Sequence, residues 1–88
     1  MTSKEVEVCN SVGLHARPAT FFIQKANTFN CSIWVENGDR RANAKSLLGV
    51  LSLGIAKGTN IMIIADGPEE NEAVNELSNL ILSGFADY

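Results

Sequence analysis

The chain's single histidine lies within residues 13–20, a stretch whose residue types suit phosphoryl chemistry. Arg17 follows His15 by two residues, and Pro18 comes directly after the arginine. Because proline is tolerated in the first turn of a helix and not in its interior, Pro18 predicts that a helix begins here. His15 is therefore expected at or near the N-cap, with Ala16, Arg17 and Pro18 in the first turn.

The start of a helix favours an anion on such a histidine. Unpaired backbone amides and the positive end of the helix dipole would offer hydrogen-bond donors to a phosphoryl group on the imidazole. Arg17 adds a planar, permanently charged guanidinium that can bind two phosphate oxygens at once. The same positive environment disfavours imidazolium, so His15 is expected to be mostly neutral near pH 7, with a ring nitrogen available as a nucleophile.

The residues alone leave a second interpretation open. A lone histidine at a helix start is often a capping or turn residue without chemistry, and Arg17 could be a solvated surface charge. What favours phosphoryl chemistry is that the histidine, the arginine and the proline converge on one helix N-terminus.

Residues 13–20 resemble the phosphohistidine motif of the HPr family, the small phosphocarriers of the bacterial phosphoenolpyruvate:sugar phosphotransferase system (PTS). A second segment supports the resemblance. Asp39-Arg40 and then residues 45–54 resemble the family's regulatory-serine segment, at the separation from the histidine that the family shows. The resemblance covers essentially all 88 residues, and it implies a single HPr-like domain over residues 1–88.

The resemblance implies that phosphorylated enzyme I transfers a phosphoryl group to Nδ1 of His15, which passes it to a histidine of a sugar-specific EIIA domain. Arg17 and the helix start would stabilise the phosphate. Such a protein is a phosphocarrier and not an enzyme. We expect it to act as a cytoplasmic monomer without cofactor or metal, since an activated phosphoramidate needs mainly to be positioned.

Ser46 has two interpretations. Serine is a favoured N-cap residue and needs no other reason to precede a short helix. In HPr proteins of many Gram-positive bacteria, this serine is the target of HPr kinase/phosphorylase, and the phosphoserine form binds a catabolite-control transcription regulator. The resemblance therefore implies regulation through Ser46, where a phosphate would meet first-turn amides and add roughly two negative charges.

The segment after Ser46 has more apolar side chains than two helical turns can bury, so some of them are expected to face outward. They are Leu47, Leu48, Val50, Leu51 and Leu53. Either neighbouring loops cover them, or Leu47, Leu48 and Leu51 form a docking patch for partner proteins, as the corresponding patch does in the HPr family.

The chain departs from the family at two places. Val12 replaces a small hydroxyl residue, which predicts a small effect on phosphate binding. Leucine at 48 or 51 replaces the methionine often found in the patch, and because leucine is stiffer than methionine, partner preference is expected to differ.

Periodicity predicts strands at residues 5–8, 32–36, 40–43 and 60–65, and a short helix over 46–54. Asn37-Gly38 is expected to form a tight hairpin turn, the polar strand 40–43 to lie at a sheet edge, and the apolar strand 60–65 to be central. Trp34 is expected to face outward on its strand. Two longer helices are predicted, the second capped by Asp66. Their buried stripes comprise Ala19, Phe22, Ile23, Ala26 and Phe29, and Ala73, Val74, Leu77, Leu80 and Ile81.

This element order favours an α+β fold, a two-layer open-faced β-sandwich with three helices on one face of a four-stranded antiparallel sheet. The HPr family has this βαββαβα layout, with the strands in the spatial order 1-4-2-3.

Composition excludes other classes of protein. With 45% apolar residues, 19% charged residues and a net charge of −3, the chain is ordinary globular material without the basic footprint of a nucleic-acid or anionic-membrane binder. No apolar run approaches membrane-spanning length, and the first residues lack a signal-peptide core, so we expect a cytoplasmic protein.

Metal-dependent and hydrolytic chemistry are disfavoured. One histidine without a nearby carboxylate cluster supplies neither a catalytic triad nor a metal site. Cys9 and Cys31 fit no metal-ligand spacing and are expected to be free thiols used as small packing residues.

Two alternatives to the sugar phosphocarrier stay open. One is a phosphocarrier of the nitrogen-related branch. The other is a regulatory HPr-like module acting through phosphorylated Ser46, although such paralogues lack the active histidine.

Overall fold

The computed structural model describes residues 1–9, 13–14 and 16–84. The predictions for His15 and Val12 therefore lie outside the described residues. Within those ranges the chain forms four strands and three helices: β1 (Thr2–Glu7), α1 (Ala16–Ala26), β2 (Ser32–Asn37), β3 (Arg40–Asn43), α2 (Leu47–Ser52), β4 (Asn60–Asp66) and α3 (Glu70–Leu82). The predicted order of elements is confirmed.

The strands form one antiparallel sheet in the order β1-β4-β2-β3. β4 lies at the centre, as expected for the most apolar strand, and β3 lies at an edge. The layout is the two-layer α+β arrangement predicted above, with the helices on one sheet face.

The core lies between this sheet face and the helices. α1 buries Ala19, Phe22 and Ala26, and Phe29, just beyond the helix, is buried with them. Ile23 is partly exposed and packs against this core. α3 buries Ala73, Val74, Leu77 and Ile81 as predicted, with Leu80 half-buried. Ser78 of α3 is buried too, and its hydroxyl has no hydrogen-bond partner within the described residues. Because serine is polar, the apolar pattern did not predict that Ser78 is buried.

The hairpin turn lies one residue later than predicted. Asn37 is the last residue of β2 and pairs with Arg40, so the two-residue loop is Gly38-Asp39. Gly38 has φ +65°, a conformation that glycine adopts without steric cost.

The predicted cap of α3 is wrong. Asp66 continues the pairing of β4, opposite Ser32, and the N-cap is Glu69, whose side chain makes no capping hydrogen bond. Instead the carboxylate of Glu70 accepts a hydrogen bond from the Gly67 amide at 3.1 Å. β1 likewise begins earlier than predicted, because the polar residues Thr2 and Ser3 pair with β4.

Candidate functional site

The first turn of α1 has the geometry expected of a phosphate-binding helix start. The helix begins at Ala16 and places Pro18 in its first turn, buried against the core. Ala16 and Arg17 are exposed, and the first turn has no acidic residue. The Thr20 hydroxyl donates to the Ala16 carbonyl at 2.7 Å, as expected for a helical threonine. The turn thus presents amides and a guanidinium at the surface, next in sequence to His15.

The segment before the histidine is held against the loop after α2. Gly13 has φ +62°, and a Cβ atom at this position would lie 2.5 Å from the Ile55 carbonyl oxygen. The amide of the buried Leu14 donates to that same oxygen at 3.0 Å. Only glycine permits both the positive φ and this close approach.

Ser46 is the N-cap residue of α2. Its hydroxyl oxygen accepts a hydrogen bond from the Gly49 amide at 3.2 Å, so the capping interpretation is confirmed. The side chain is half-buried. Regulation through Ser46 stays a prediction.

The apolar side chains of α2 divide as their crowding predicted. Val50 and Leu53 are buried, whereas Leu48 is 81% exposed. Leu47 and Leu51 are only partly exposed and pack against the core, so Leu48 is the outward-facing member of the predicted docking patch.

A depression of about 200 Å³ joins the α1 start to the predicted docking patch. Its lining includes Leu14 and Ala16 from the histidine segment, and Leu51, Gly54, Ile55 and Ala56 from α2 and the residues after it. Residues some 40 positions apart in sequence therefore share one surface.

One exposed aromatic residue escaped the sequence analysis. Phe21 of α1 is 43% exposed. It lies outside the apolar stripe of α1, and an apolar residue off a helical stripe is the signal that could have identified it.

The cysteines differ from each other. Both are free thiols. Cys31 packs against the core, and partial burial raises the pKa of its thiol. Cys9 is exposed, so its predicted packing role is wrong, because β1 ends at Glu7 and leaves Cys9 beyond the sheet.

No helix within the described ranges has the length and apolar character needed to cross a membrane. No group of three or more histidine, cysteine or acidic side chains could hold a metal ion in the part of the chain that the structure describes.

Comparison with known proteins identifies the family. The model of the PTS-HPr family, described as the PTS HPr component phosphorylation site, matches residues 2–83. The chain belongs to the HPr family. The matched region contains both the histidine motif and the Ser46 segment, so the resemblance noted in the sequence is confirmed.

Members of the HPr family are similar to the chain over nearly its whole length. The phosphocarrier protein HPr of Neisseria meningitidis is 40% identical over 87 residues, which covers 99% of this chain and 98% of the relative. The HPr-like protein Crh of Halalkalibacterium halodurans is 44% identical over 77 residues, covering 88% and 92%. A crystal structure of HPr-C-His from Thermoanaerobacter tengcongensis matches with a TM-score of 0.96 and 42% identity, covering 100% of this chain and 99% of that one.

Some structures of HPr-family proteins are described as dimers. A crystal structure described as an HPr dimer from Thermoanaerobacter tengcongensis has a TM-score of 0.77 and 44% identity, covering 97% of this chain and 98% of that one. The expectation of a monomer therefore stays a prediction.

Proposed function

We propose that the protein is a cytoplasmic phosphocarrier of the PTS that accepts a phosphoryl group from phosphorylated enzyme I on His15 and passes it to a histidine of an EIIA domain. The observation that carries the proposal is that His15 directly precedes the exposed residues Ala16 and Arg17, in the acid-free first turn of α1, in a chain of the HPr family. That turn offers the amides and the guanidinium that a transferring phosphoryl group requires.

Each transfer exchanges one bond to phosphorus for another. Nδ1 of neutral His15 attacks the phosphorus, the bond between phosphorus and enzyme I breaks, and the new N–P bond forms on His15. In the second step the EIIA histidine attacks the phosphorus, the N–P bond to His15 breaks, and His15, whose Nε2 has kept its proton throughout, leaves as neutral imidazole. The first-turn amides and Arg17 neutralise the charge on the phosphoryl oxygens, so no metal or cofactor is needed.

Partner proteins dock on the predicted patch and the depression beside it. Leu48 supplies the exposed apolar contact, and the depression between Ala16 and Leu51 accommodates an apolar side chain of the partner. Because this depression joins α2 to the α1 start, docking there places the partner's phosphohistidine close to the residues that bind phosphate.

Phosphorylation of Ser46 regulates this docking. The Gly49 amide, which now donates a hydrogen bond to the Ser46 hydroxyl, would donate to a phosphate on Ser46 instead. The phosphate would also add negative charge next to Leu47 and Leu48. HPr kinase/phosphorylase would be the source of the phosphate, and a catabolite-control transcription regulator would bind the product. The similarity to Crh, one structure of which is described as catabolite repression HPr, supports this role.

The decisive experiment mixes the protein with enzyme I and phosphoenolpyruvate and follows its intact mass. We expect one added phosphoryl group that is lost on acid treatment and is absent in His15→Ala. Adding an EIIA domain should remove it without acid.

Two outcomes would overturn the proposal. One is no mass gain while the same enzyme I phosphorylates another carrier, which would leave the regulatory role of Ser46. The other is a gain from only the enzyme I paralogue of the nitrogen-related branch, which would assign the protein to that branch.

A further inference from the structure

The sheet face opposite the helices, hereafter the open face, has an apolar seam along its centre. The seam consists of Trp34 on β2 and of Met62 and Ile64 on β4. Ile64 is the direct register partner of Trp34 and is only 6% exposed, although it belongs to the face that none of the described helices covers. Trp34 and Met62 are half-buried. An exposed sheet face usually carries polar residues, so the apolar centre of the open face departs from that pattern.

Glutamates flank this seam. Met62 pairs with Glu5 of β1 on one side and with Glu36 of β2 on the other, so the three side chains form one row across the sheet. A depression of about 300 Å³ lies along this row, and both glutamates and Met62 line it. Glu7 of β1 lies next to the row on the same face, because it is two residues from Glu5.

The chain itself shows which chemistry this face recognises. Both Nε and Nη2 of Arg41 lie 2.9 Å from the carboxylate of Glu36, and its guanidinium lies 5.4 Å from the centroid of the Trp34 ring. A carboxylate and an aromatic face together bind an arginine here. On the β1 side of the seam, the carboxylates of Glu5 and Glu7 have no such cation within the described residues.

We propose that the open face is a second docking surface, which binds an extended basic protein segment. The segment would place one apolar side chain over the half-buried Met62, and arginine or lysine side chains against Glu5 and Glu7. Nucleic acids and anionic lipid surfaces do not suit the site, because their phosphates would meet these carboxylates at close range. The open face lies on the opposite side of the sheet from α1 and α2, so a segment bound here leaves phosphoryl transfer unobstructed.

Trp34 is the only tryptophan of the chain, so its emission reports occupancy of the open face. The probe is a short synthetic peptide with arginines around one central leucine, titrated near physiological ionic strength. A matched peptide with glutamates in place of the arginines serves as the control. We expect saturable binding of the basic peptide only, with a change in Trp34 emission and amide chemical-shift changes confined to the strands.

Charge-matched variants separate a site from general attraction. Glu5→Gln should lower the affinity for the basic peptide by about three- to fivefold, as expected for the loss of one exposed ion pair. Glu72→Gln removes the same charge from the exposed surface of α3 and should leave the affinity unchanged. Equal weakening by both variants, shift changes on α1 or α2, or no binding of the basic peptide would overturn the proposal.

A rate measurement tests the independence of the two surfaces. With saturating basic peptide, transfer from enzyme I to His15 should proceed at the rate of the free protein. Competition between peptide and enzyme I would contradict a separate site on the open face, and it would leave the phosphocarrier function itself untouched.

Discussion

The amide of Leu14 donates a hydrogen bond of 3.0 Å to the carbonyl of Ile55. This bond joins the segment before the histidine to the loop that follows α2. It makes the position of the α1 start, where we propose that phosphate binds, depend on the segment that carries the predicted docking patch.

Two glycines with the same φ of +62° test this junction. At Gly54 a Cβ would meet no atom within 4 Å, so Gly54→Ala should cost only the backbone strain, about 1 kcal/mol of unfolding free energy. At Gly13 the Cβ would lie 2.5 Å from the Ile55 oxygen, so Gly13→Ala should cost distinctly more and slow phosphoryl transfer. Urea unfolding and the rate of transfer from enzyme I measure both effects; equal costs would show that the close approach is unimportant.

Arg17 is predicted to act on the transferring phosphate. Removing a charge-assisted hydrogen bond worth about 1.5–3 kcal/mol should slow both transfers by about tenfold or more in Arg17→Ala. Arg40→Ala removes another exposed arginine, from the edge strand β3, and should leave both rates unchanged. Rapid-quench measurement of both steps distinguishes the two variants, and identical rates for them would remove Arg17 from the mechanism.

Ser46 combines a structural and a proposed regulatory role, and two substitutions separate them. Ser46→Ala loses the bond from the Gly49 amide and should lower stability by about 0.5–1 kcal/mol without slowing transfer. Ser46→Asp keeps a good N-cap and adds a negative charge beside the predicted docking patch. It should therefore preserve stability and raise the KM of enzyme I for the protein. If Ser46→Asp left that KM unchanged, regulation by charge at this position would be contradicted.

Leu48 is predicted to contribute to docking and not to the core. Because it is 81% exposed, Leu48→Ala should change stability by less than about 0.5 kcal/mol, while the KM of enzyme I for the protein rises several-fold. Leu82→Ala, at the 52% exposed end of α3, is the matched control and should leave the KM unchanged. Steady-state transfer assays and thermal unfolding check the pair, and a loss of stability in Leu48→Ala would argue for a packing role instead.

Glu70 predicts a pH dependence of stability. Hydrogen bonds from the Thr2 hydroxyl, the Gly67 amide and the N-terminal ammonium lower the pKa of its carboxyl from 4.5 to about 2. The folded state therefore favours the deprotonated form of Glu70 more than the unfolded state does. Its contribution to the free energy of unfolding is present above pH 4.5 and is lost as the pH falls towards 2.

The measurement is urea unfolding across this acid range. Glu70→Gln should flatten the decline in stability, whereas Glu72→Gln, in the same first turn of α3, should retain it. The same slope in Glu70→Gln as in the unmodified protein would contradict the assignment.

Local patterns determined much of this protein. The apolar periodicities placed the helices and the inward strand residues, and the polar run 40–43 correctly predicted the edge strand β3. Ser46 was identifiable as an N-cap and Trp34 as an outward residue, because capping and strand alternation depend only on near neighbours in sequence. The histidine motif and the Ser46 segment carried the family, and with it the strand order.

Tertiary structure decided what depends on strand register and on contacts between distant segments. Asp66 proved to be a strand residue and not a cap because Ser32 pairs with it. Leu48 was singled out from the other leucines only by the direction in which α2 packs. Nothing local places Glu5, Met62 and Glu36 in one row, or Leu14 against Ile55. These relationships are set when elements far apart in sequence bury a common core and satisfy each other's backbone groups, which no single segment encodes by itself.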